Sequence, residues 1–304
     1  DVMEKLLQGL RDYFLFSADA EVTIEANPGT LTPEKLSIYR KYGINRISIG
    51  LQSPKNKELA ILGRIHNYAQ FLESFQMARE AGFSNINVDL MFAIPGQSYE
   101  GWIENLRTVA ALGPEHISAY SLIIEEGTPF SRKKLDLPDE DTEYRMYEDV
   151  AAVLKEYGYH QYEISNYAKA GRECRHNEGY WQRKDYLGLG LGAASLLGKE
   201  RFSNTSDMQE YLKNSSAPEK IRKNRELLTR EDEMAEFMFL GLRMTQGVSK
   251  KEFQEYFGTA IENIYGEVLK KYKKQGLLLE ESGRIFLSRE GIHVSNAVMA
   301  DFLL

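Results

Sequence analysis

Cysteine is almost absent from this 304-residue chain; Cys174 is the only one. A single thiol excludes a disulfide framework within the chain and fits a reducing cytosol. It also excludes an intact iron–sulfur site on these residues, because such a site takes several thiolates. Long apolar runs are missing too, and no stretch approaches the roughly 20 residues of a membrane-spanning helix. The chain opens at Asp1 on an amphipathic helical pattern, "DVMEKLLQGLRDYF", with neither a basic n-region nor an apolar h-region before it. It reads as trimmed at its N-terminus. A basic excess is lacking as well. The net charge is -7, with acids and bases interspersed, which argues against general nucleic-acid binding, since that depends on neutralising phosphates.

What is present suits an ordinary soluble protein of about two domains, at roughly 150 residues each. Hydrophobic residues make up 42% of the chain and charged residues 27%, enough apolar side chain for a large core. The first half repeats a short β-branched run, a turn and a helical stretch. The runs are "EVTIEA" (21–26), "RISIG" (46–50), "NINVDLMF" (85–92) and "HISAYSLII" (116–124). Thr32 and Pro33 predict a helix start, and Gly43 its end. A second helix is predicted up to Gly82, with Phe71, Phe75 and Ala78 on one face, and a third from Ser98 to Gly113. Strands alternating with helices imply a parallel sheet, open or closed into a barrel.

Polar residues gather at the ends of these runs: Glu25 and Asn27, Gln52 and Ser53, Asp89, then Tyr120 and Ser121. In βα-barrels and open α/β sheets the site lies at the carboxyl ends of the strands. One such residue alone merely terminates a strand; four successive strands favour a site. A long helix at about 139–157 leads to "YHQYEISNYA", read as one more strand. "DYLGLGLGAASLLG" (185–198) spells G-x-G-x-G, lacks a βαβ context and is a weak dinucleotide signal, so a tight loop is the plainer reading.

From about Arg225 the pattern becomes three helices and a hairpin turning at Ser282-Gly283, then a closing helix. This is a winged-helix order. It serves either DNA binding through a recognition helix or a purely structural module. The acids balancing Lys270, Lys271, Lys273 and Lys274 favour the structural module. "GRECRHNEGYW" (171–181) holds Cys174, His176, Tyr180 and Trp181, and taken alone reads as a metal site, a reactive thiol or a turn.

In order along the chain, "EVTIEANPGTLTPEKL", "GINRISIGLQS", "LGRIH", "NINVDLMFAIPGQS", "HISAYSLIIEEGTPF" and "HNEGYWQRKDYLGLGLGAAS" resemble the oxygen-independent coproporphyrinogen oxidase-like branch of the radical S-adenosylmethionine (radical SAM) enzymes. The likeness runs from about residue 20 to the C-terminus. "HNEGYW" and the short C-terminal region bring it nearer to HemW-type haem chaperones than to true coproporphyrinogen dehydrogenases. The resemblance implies an incomplete TIM-like radical SAM barrel with a connecting segment over 1–205 and a small helical, winged-helix-like domain over 206–304. It implies a cytoplasmic protein that binds haem and passes it to an acceptor protein, with peripheral membrane association for that delivery. The alternatives are a coproporphyrinogen dehydrogenase that decarboxylates two propionates, and a cofactor-free binding module on a degenerate barrel.

The implied cofactors are SAM, a [4Fe–4S] cluster and haem. The family's cluster-bearing C-x₃-C-x₂-C loop and its following glycine-rich turn are absent from these residues, so SAM cleavage is not expected of this chain. For SAM, the resemblance points to Glu25 and Asp89 for ribose hydroxyls or the charged part of the molecule, because ionised carboxylates only accept hydrogen bonds. Arg64 suits the methionyl carboxylate, which its fork can grip at both oxygens. Gln52 donates and accepts, and Ile123 and Ala194 would line the adenosyl pocket. Relatives often carry His where this chain has Ala194. Cys174 is expected to be incidental. His176 suits an axial haem ligand, with Tyr180 or Trp181 for the porphyrin face and Arg172, Arg175, Arg183 and Lys184 for its propionates.

Overall fold

In the computed structural model, residues 2–304 are described, and the chain divides into two compact units between Cys174 and Arg175. The first unit runs α1 (Val2–Tyr13), β1 (Thr23–Ala26), α2 (Pro33–Lys41), β2 (Arg46–Gln52), α3 (Asn56–Ile61), α4 (Tyr68–Glu80), β3 (Ile86–Phe92), α5 (Tyr99–Ala111), β4 (His116–Ser121), α6 (Glu140–Lys155), β5 (His160–Glu163) and β6 (Asn166–Ala168). The helix starts follow local chemistry. Thr32 accepts from the Lys35 N–H with Pro33 in the first turn, Asn67 and Gln70 form a reciprocal capping box, and Ser98 accepts from the Gly101 N–H. Gly43, Gly82 and Gly113 end three of the helices with φ of 81°, 84° and 70°.

The sheet order is β1-β2-β3-β4-β6-β5. The first four strands are parallel, and β6 lies antiparallel to both β4 and β5. The stretch read as one further strand is therefore two short ones folded about Ile164 and Ser165. Among the described residues β1 has a single strand neighbour, β2, so the sheet is open at that edge.

Strand register sorts the side chains into two faces, because successive residues point to opposite sides. Ile47, Ile49 and Leu51 on β2, Ile86, Val88, Leu90 and Phe92 on β3, and Ile117 and Ala119 on β4 pack into the core with Phe71, Trp102, Leu106 and Val150 from the helices. Trp102 is fully buried, and its indole N–H donates to the Met146 carbonyl at 2.9 Å. Each such large side chain contributes about 1.5–3 kcal/mol by leaving water.

The second unit begins with α7 (Arg175–Trp181), β7 (Ala194–Leu197), β8 (Glu200–Asn204), α8 (Met208–Asn214), α9 (Pro218–Ile221) and β9 (Arg222–Leu227). The three strands form an antiparallel sheet in the order β7-β8-β9. Because β9 returns to pair with β8, residues on both sides of position 205 belong together. The boundary expected at 205/206 therefore falls inside this unit. The glycine-rich segment is a tight loop bound to its own sheet. A Cβ on Gly188 would sit 2.2 Å from the Ala194 carbonyl oxygen. Asn204 donates to the Gly190 carbonyl at 2.8 Å, and Ser195 Oγ accepts the Gly188 N–H at 3.0 Å.

The unit continues with α10 (Arg230–Gly241), β10 (Val248–Ser249), α11 (Lys250–Phe257), α12 (Ile261–Lys274), β11 (Leu278–Glu281), β12 (Arg284–Leu287), α13 (Arg289–His293) and α14 (Ser295–Ala300). Helices α10, α11 and α12 followed by the β11–β12 hairpin are the winged-helix order read from the sequence. The turn lies at Ser282 and Gly283, with φ of 51° and 75°. The two-residue strand β10 pairs with β12 as a third strand, and the expected closing helix is split into α13 and α14.

Candidate functional site

The inner face of the first unit's sheet, opposite the helices, is polar along the strands and not only at their ends. It carries Thr23 and Glu25 on β1, Arg46 and Ser48 on β2, Asn87 and Asp89 on β3, and His116, Ser118 and Tyr120 on β4. Register brings these together: Glu25 pairs with Ser48, Ser48 with Asn87, and Asp89 with Gly50 and Ser118. Asp89 Oδ1 accepts from Asn87 Nδ2 at 2.8 Å, and Asp89 Oδ2 accepts from Ser48 Oγ at 3.1 Å. Burial pushes the Asp89 carboxyl above the usual carboxylate range. The hydrogen bonds from Asn87 and Ser48, with the Ser118 hydroxyl close by, oppose that shift, while the nearby Glu25 carboxylate adds to it.

Gln52 owes its place to an irregularity in β2. Opposite β3 the register passes from Gly50–Asp89 to Gln52–Leu90, so one extra residue is accommodated. Gln52 sits at φ 67°, a left-handed conformation that is costly for a side chain with a Cβ. Its amide folds back over Gly50, where an added Cβ would lie 2.9 Å from Gln52 Nε2. Gln52 is 8% exposed, and its Oε1 is buried without a hydrogen-bond partner. An orphaned acceptor beside a glycine cradle and a pinned carboxylate fits a polar ligand that brings hydroxyl or amino donors.

The remaining residues expected at a SAM site lie on other segments of the chain. Arg64 is exposed in the loop after α3, its backbone N–H bonded to the Leu59 carbonyl. Ile123 is 78% exposed beyond the end of β4. Ala194 belongs to the second unit, where it starts β7 opposite Ser203. Sequence reasoning missed Arg46, Ser48, Asn87, His116 and Ser118. The signal was there in "RISIG", "NINVDLM" and "HISAY", where every second residue is polar inside an apolar run.

In the second unit, α7 carries the "RHNEGYW" segment. His176 is exposed, and its ring meets Tyr180, one turn on, edge to face with centroids 4.6 Å apart; Tyr180 meets Tyr186 in the same way at 4.7 Å. Two of the groups expected to join His176 are engaged elsewhere. Arg183 Nε donates to Glu236 Oε2 at 2.7 Å, and its Nη2 lies 3.3 Å from Glu233 Oε1, so it serves a buried ion network rather than a propionate. Trp181 is covered by the Arg243 guanidinium, 4.3 Å from its ring centroid, and lines a separate cleft of about 740 Å³ with Phe237 and Met244. Tyr180 and, through it, Tyr186 remain beside His176, and the exposed Lys184 follows the helix with its backbone N–H on the Gly179 carbonyl at 2.9 Å.

A [4Fe–4S] cluster does not fit the residues present. Cys174 is 3% exposed, with its sulfur 3.7 Å from Glu21 Oε1 and its backbone N–H on the Tyr162 hydroxyl. Among the described residues no three His, Cys, Asp or Glu side chains are grouped to hold a metal ion.

Residues 2–109 match the radical SAM superfamily and residues 228–294 match the HemN C-terminal domain. The chain is 38% identical to heme chaperone HemW of Bacillus subtilis, over 99% of this chain and 81% of that protein. It is 36% identical to heme chaperone HemW of Escherichia coli, over 94% of this chain and 78% of that protein. Among solved structures, coproporphyrinogen III oxidase (HemN) of Escherichia coli, a radical SAM enzyme, superposes with a TM-score of 0.85 at 22% identity, over 99% of this chain and 74% of that one. At that identity the superposition establishes the fold alone.

Proposed function

The chain belongs to the HemW family of heme chaperones within the radical SAM superfamily, and on that footing we propose that it binds haem through His176 and passes it to an acceptor protein. The observation that carries this reading is the exposed imidazole of His176 set edge-on against Tyr180. An axial ligand must be reachable from solvent, and a planar macrocycle needs a flat neighbour. Bound there, haem would be held by imidazole coordination and by contact with Tyr180, worth about 1 kcal/mol beyond plain burial. Lys184, exposed just beyond the same helix, offers a cation for a carboxylate. A coproporphyrinogen oxidase reading is less favoured, because the HemW relatives share 38% and 36% identity where HemN shares 22%.

The inner face of the first unit is our proposed nucleoside end of a SAM site. Asp89 would accept from ribose hydroxyls, and Gln52 Oε1 from an amino or hydroxyl donor. Arg64, Glu25, Ile123 and Ala194 belong to the same proposal by family resemblance. The radical chemistry of the family needs a cluster whose ligands these residues do not supply. Cytoplasmic location and peripheral membrane contact are further parts of the reading; no helix among the described residues is long and apolar enough to cross a membrane.

Titrating haem into the protein should give a shifted Soret band characteristic of imidazole ligation. His176→Ala should abolish that band or weaken binding strongly, whereas Cys174→Ser, at a buried thiol, should leave it nearly unchanged. Equal spectra and affinity in His176→Ala would place the ligand elsewhere and leave "HNEGYW" a structural helix.

A further inference from the structure

Asp89 is not held by its neighbours alone. Behind it a directed chain of hydrogen bonds runs to the N-terminal end of the strands. Asn87 Nδ2 donates to Asp89 Oδ1 at 2.8 Å and to Ser48 Oγ at 2.8 Å. Since an ionised carboxylate only accepts, the Asn87 amide must present its NH₂ to Asp89 and its Oδ1 to the other side. There Oδ1 accepts from Ser118 Oγ at 3.2 Å and meets His116 Nδ1 at 2.5 Å. His116 Nδ1 must therefore carry the proton. Its Nε2 is then an acceptor and takes the Tyr162 hydroxyl proton at 2.9 Å, while the Tyr162 oxygen accepts the Cys174 N–H at 3.3 Å. Every step has one donor and one acceptor, and reversing any of them sets two donors or two acceptors face to face.

We infer that His116, as its neutral Nδ1–H tautomer, is a positioning residue that fixes the Asn87 amide and through it the plane of the Asp89 carboxylate for a vicinal diol. His116 is fully buried and Asn87 is 2% exposed, so neither touches a ligand directly. With Oδ1 pinned by Asn87 and Oδ2 by Ser48, each oxygen keeps lone-pair capacity for one incoming hydroxyl. That is the demand of the two adjacent hydroxyls of a ribose. The groups facing His116 are Arg46 from β2, Asn87 and beyond it Asp89 from β3, and Tyr162 from β5. Burial first, and the Arg46 charge second, push the imidazole well below its usual range, which keeps it neutral. The inference rests on the nucleoside reading of Asp89 given above.

Two measurements test it. Long-range ¹H–¹⁵N imidazole spectra of the unaltered protein should show His116 locked as the Nδ1–H tautomer from about pH 8 to about pH 5.5. An Nε2–H signal, or a titrating mixture, overturns the inference without any variant having to fold. Calorimetric titration with S-adenosylhomocysteine should show that Asn87→Asp, which turns a donor toward Asp89 into an acceptor, weakens binding about tenfold or more. Tyr162→Phe should release the tautomer lock and weaken binding in the same direction. The Asp89→Asn variant separates the two ideas. If it loses affinity while Asn87→Asp and Tyr162→Phe keep it, the nucleoside reading stands and the positioning role falls. If Asp89→Asn binds as tightly as the unaltered protein, the nucleoside reading falls and takes the positioning role with it.

Discussion

At the scale of single residues, Glu58 shows how a buried charge is kept at modest cost. It is 8% exposed, and its Oε2 accepts from Ser53 Oγ at 2.6 Å, Gln97 Nε2 at 3.0 Å and Asn105 Nδ2 at 2.8 Å. These donors come from the exit of β2, the loop after β3 and α5, so one carboxylate ties three segments beneath the polar face. Glu58→Gln offers an NH₂ where donors already crowd, and should destabilise the protein by about 1–3 kcal/mol in urea denaturation. An unchanged midpoint would show that the network is dispensable. In sequence "NKELA" looks like ordinary exposed helix, because the partners that bury Glu58 lie 39 and 47 positions away. Asp89 was legible as a polar break in an apolar strand. His116 was not singled out, since at the head of a strand it resembles a terminating residue until Tyr162 and Asn87 are seen on either side. Gly50→Ala bears on the same site. Its Cβ would press on the Gln52 amide, so nucleoside affinity should fall several-fold with only a small loss of stability, of the order of 1 kcal/mol at most, as paired calorimetry and denaturation would show.

At the scale of elements, the open flank of β1 has the clearest consequence. Among the described residues Thr23–Ala26 pairs with β2 on one side only, and an open edge on a β-branched strand invites another strand. The chain should self-associate as its concentration rises, with a growing weight-average mass in sedimentation equilibrium; strict monomers at high concentration would contradict this. Elements with a cap at one end and a glycine at the other were readable in advance: the starts at Thr32 and Ser98 and the stops at Gly43, Gly82 and Gly113. The β7–β8–β9 sheet was not. "RKNREL" is exposed at five of its six positions and looks like solvated loop. It is a strand because β8 supplies its backbone partners and Glu200 accepts from Arg225 Nε at 2.6 Å. Local composition does not reveal a pairing that depends on a distant edge.

For the whole molecule, the buried His116 and the half-buried Asp89 pull acid stability in opposite directions. His116 has a folded-state pKa below its unfolded value of about 6.5, so the unfolded chain takes up the proton first. Its contribution is present above about pH 6.5 and is lost as the pH falls below that. Asp89 has a raised folded-state pKa, so the strain of its ionised form is relieved as the pH falls through that value toward the unfolded one near 3.9. Urea midpoints should therefore drop as the pH falls below about 6.5, less steeply in His116→Gln, while Asp89→Asn should lose the opposing gain that comes as the pH falls toward about 3.9. Identical slopes in all three proteins would show that neither group is coupled to folding. The chain divides between Cys174 and Arg175, where no run of Pro, Gly or Ser marks a linker in the sequence. The strict alternation of the four parallel strands has a further meaning for how such a chain can change over time. Two messages are interleaved letter by letter in the same short words, one read by the helices and one read by whatever enters the concave side. Because they share a backbone but not positions, drift can erase or rewrite the second message at Glu25, Gly50 and Asp89 while the first keeps the scaffold intact, and a lineage can trade one ligand for another without passing through an unfolded ancestor.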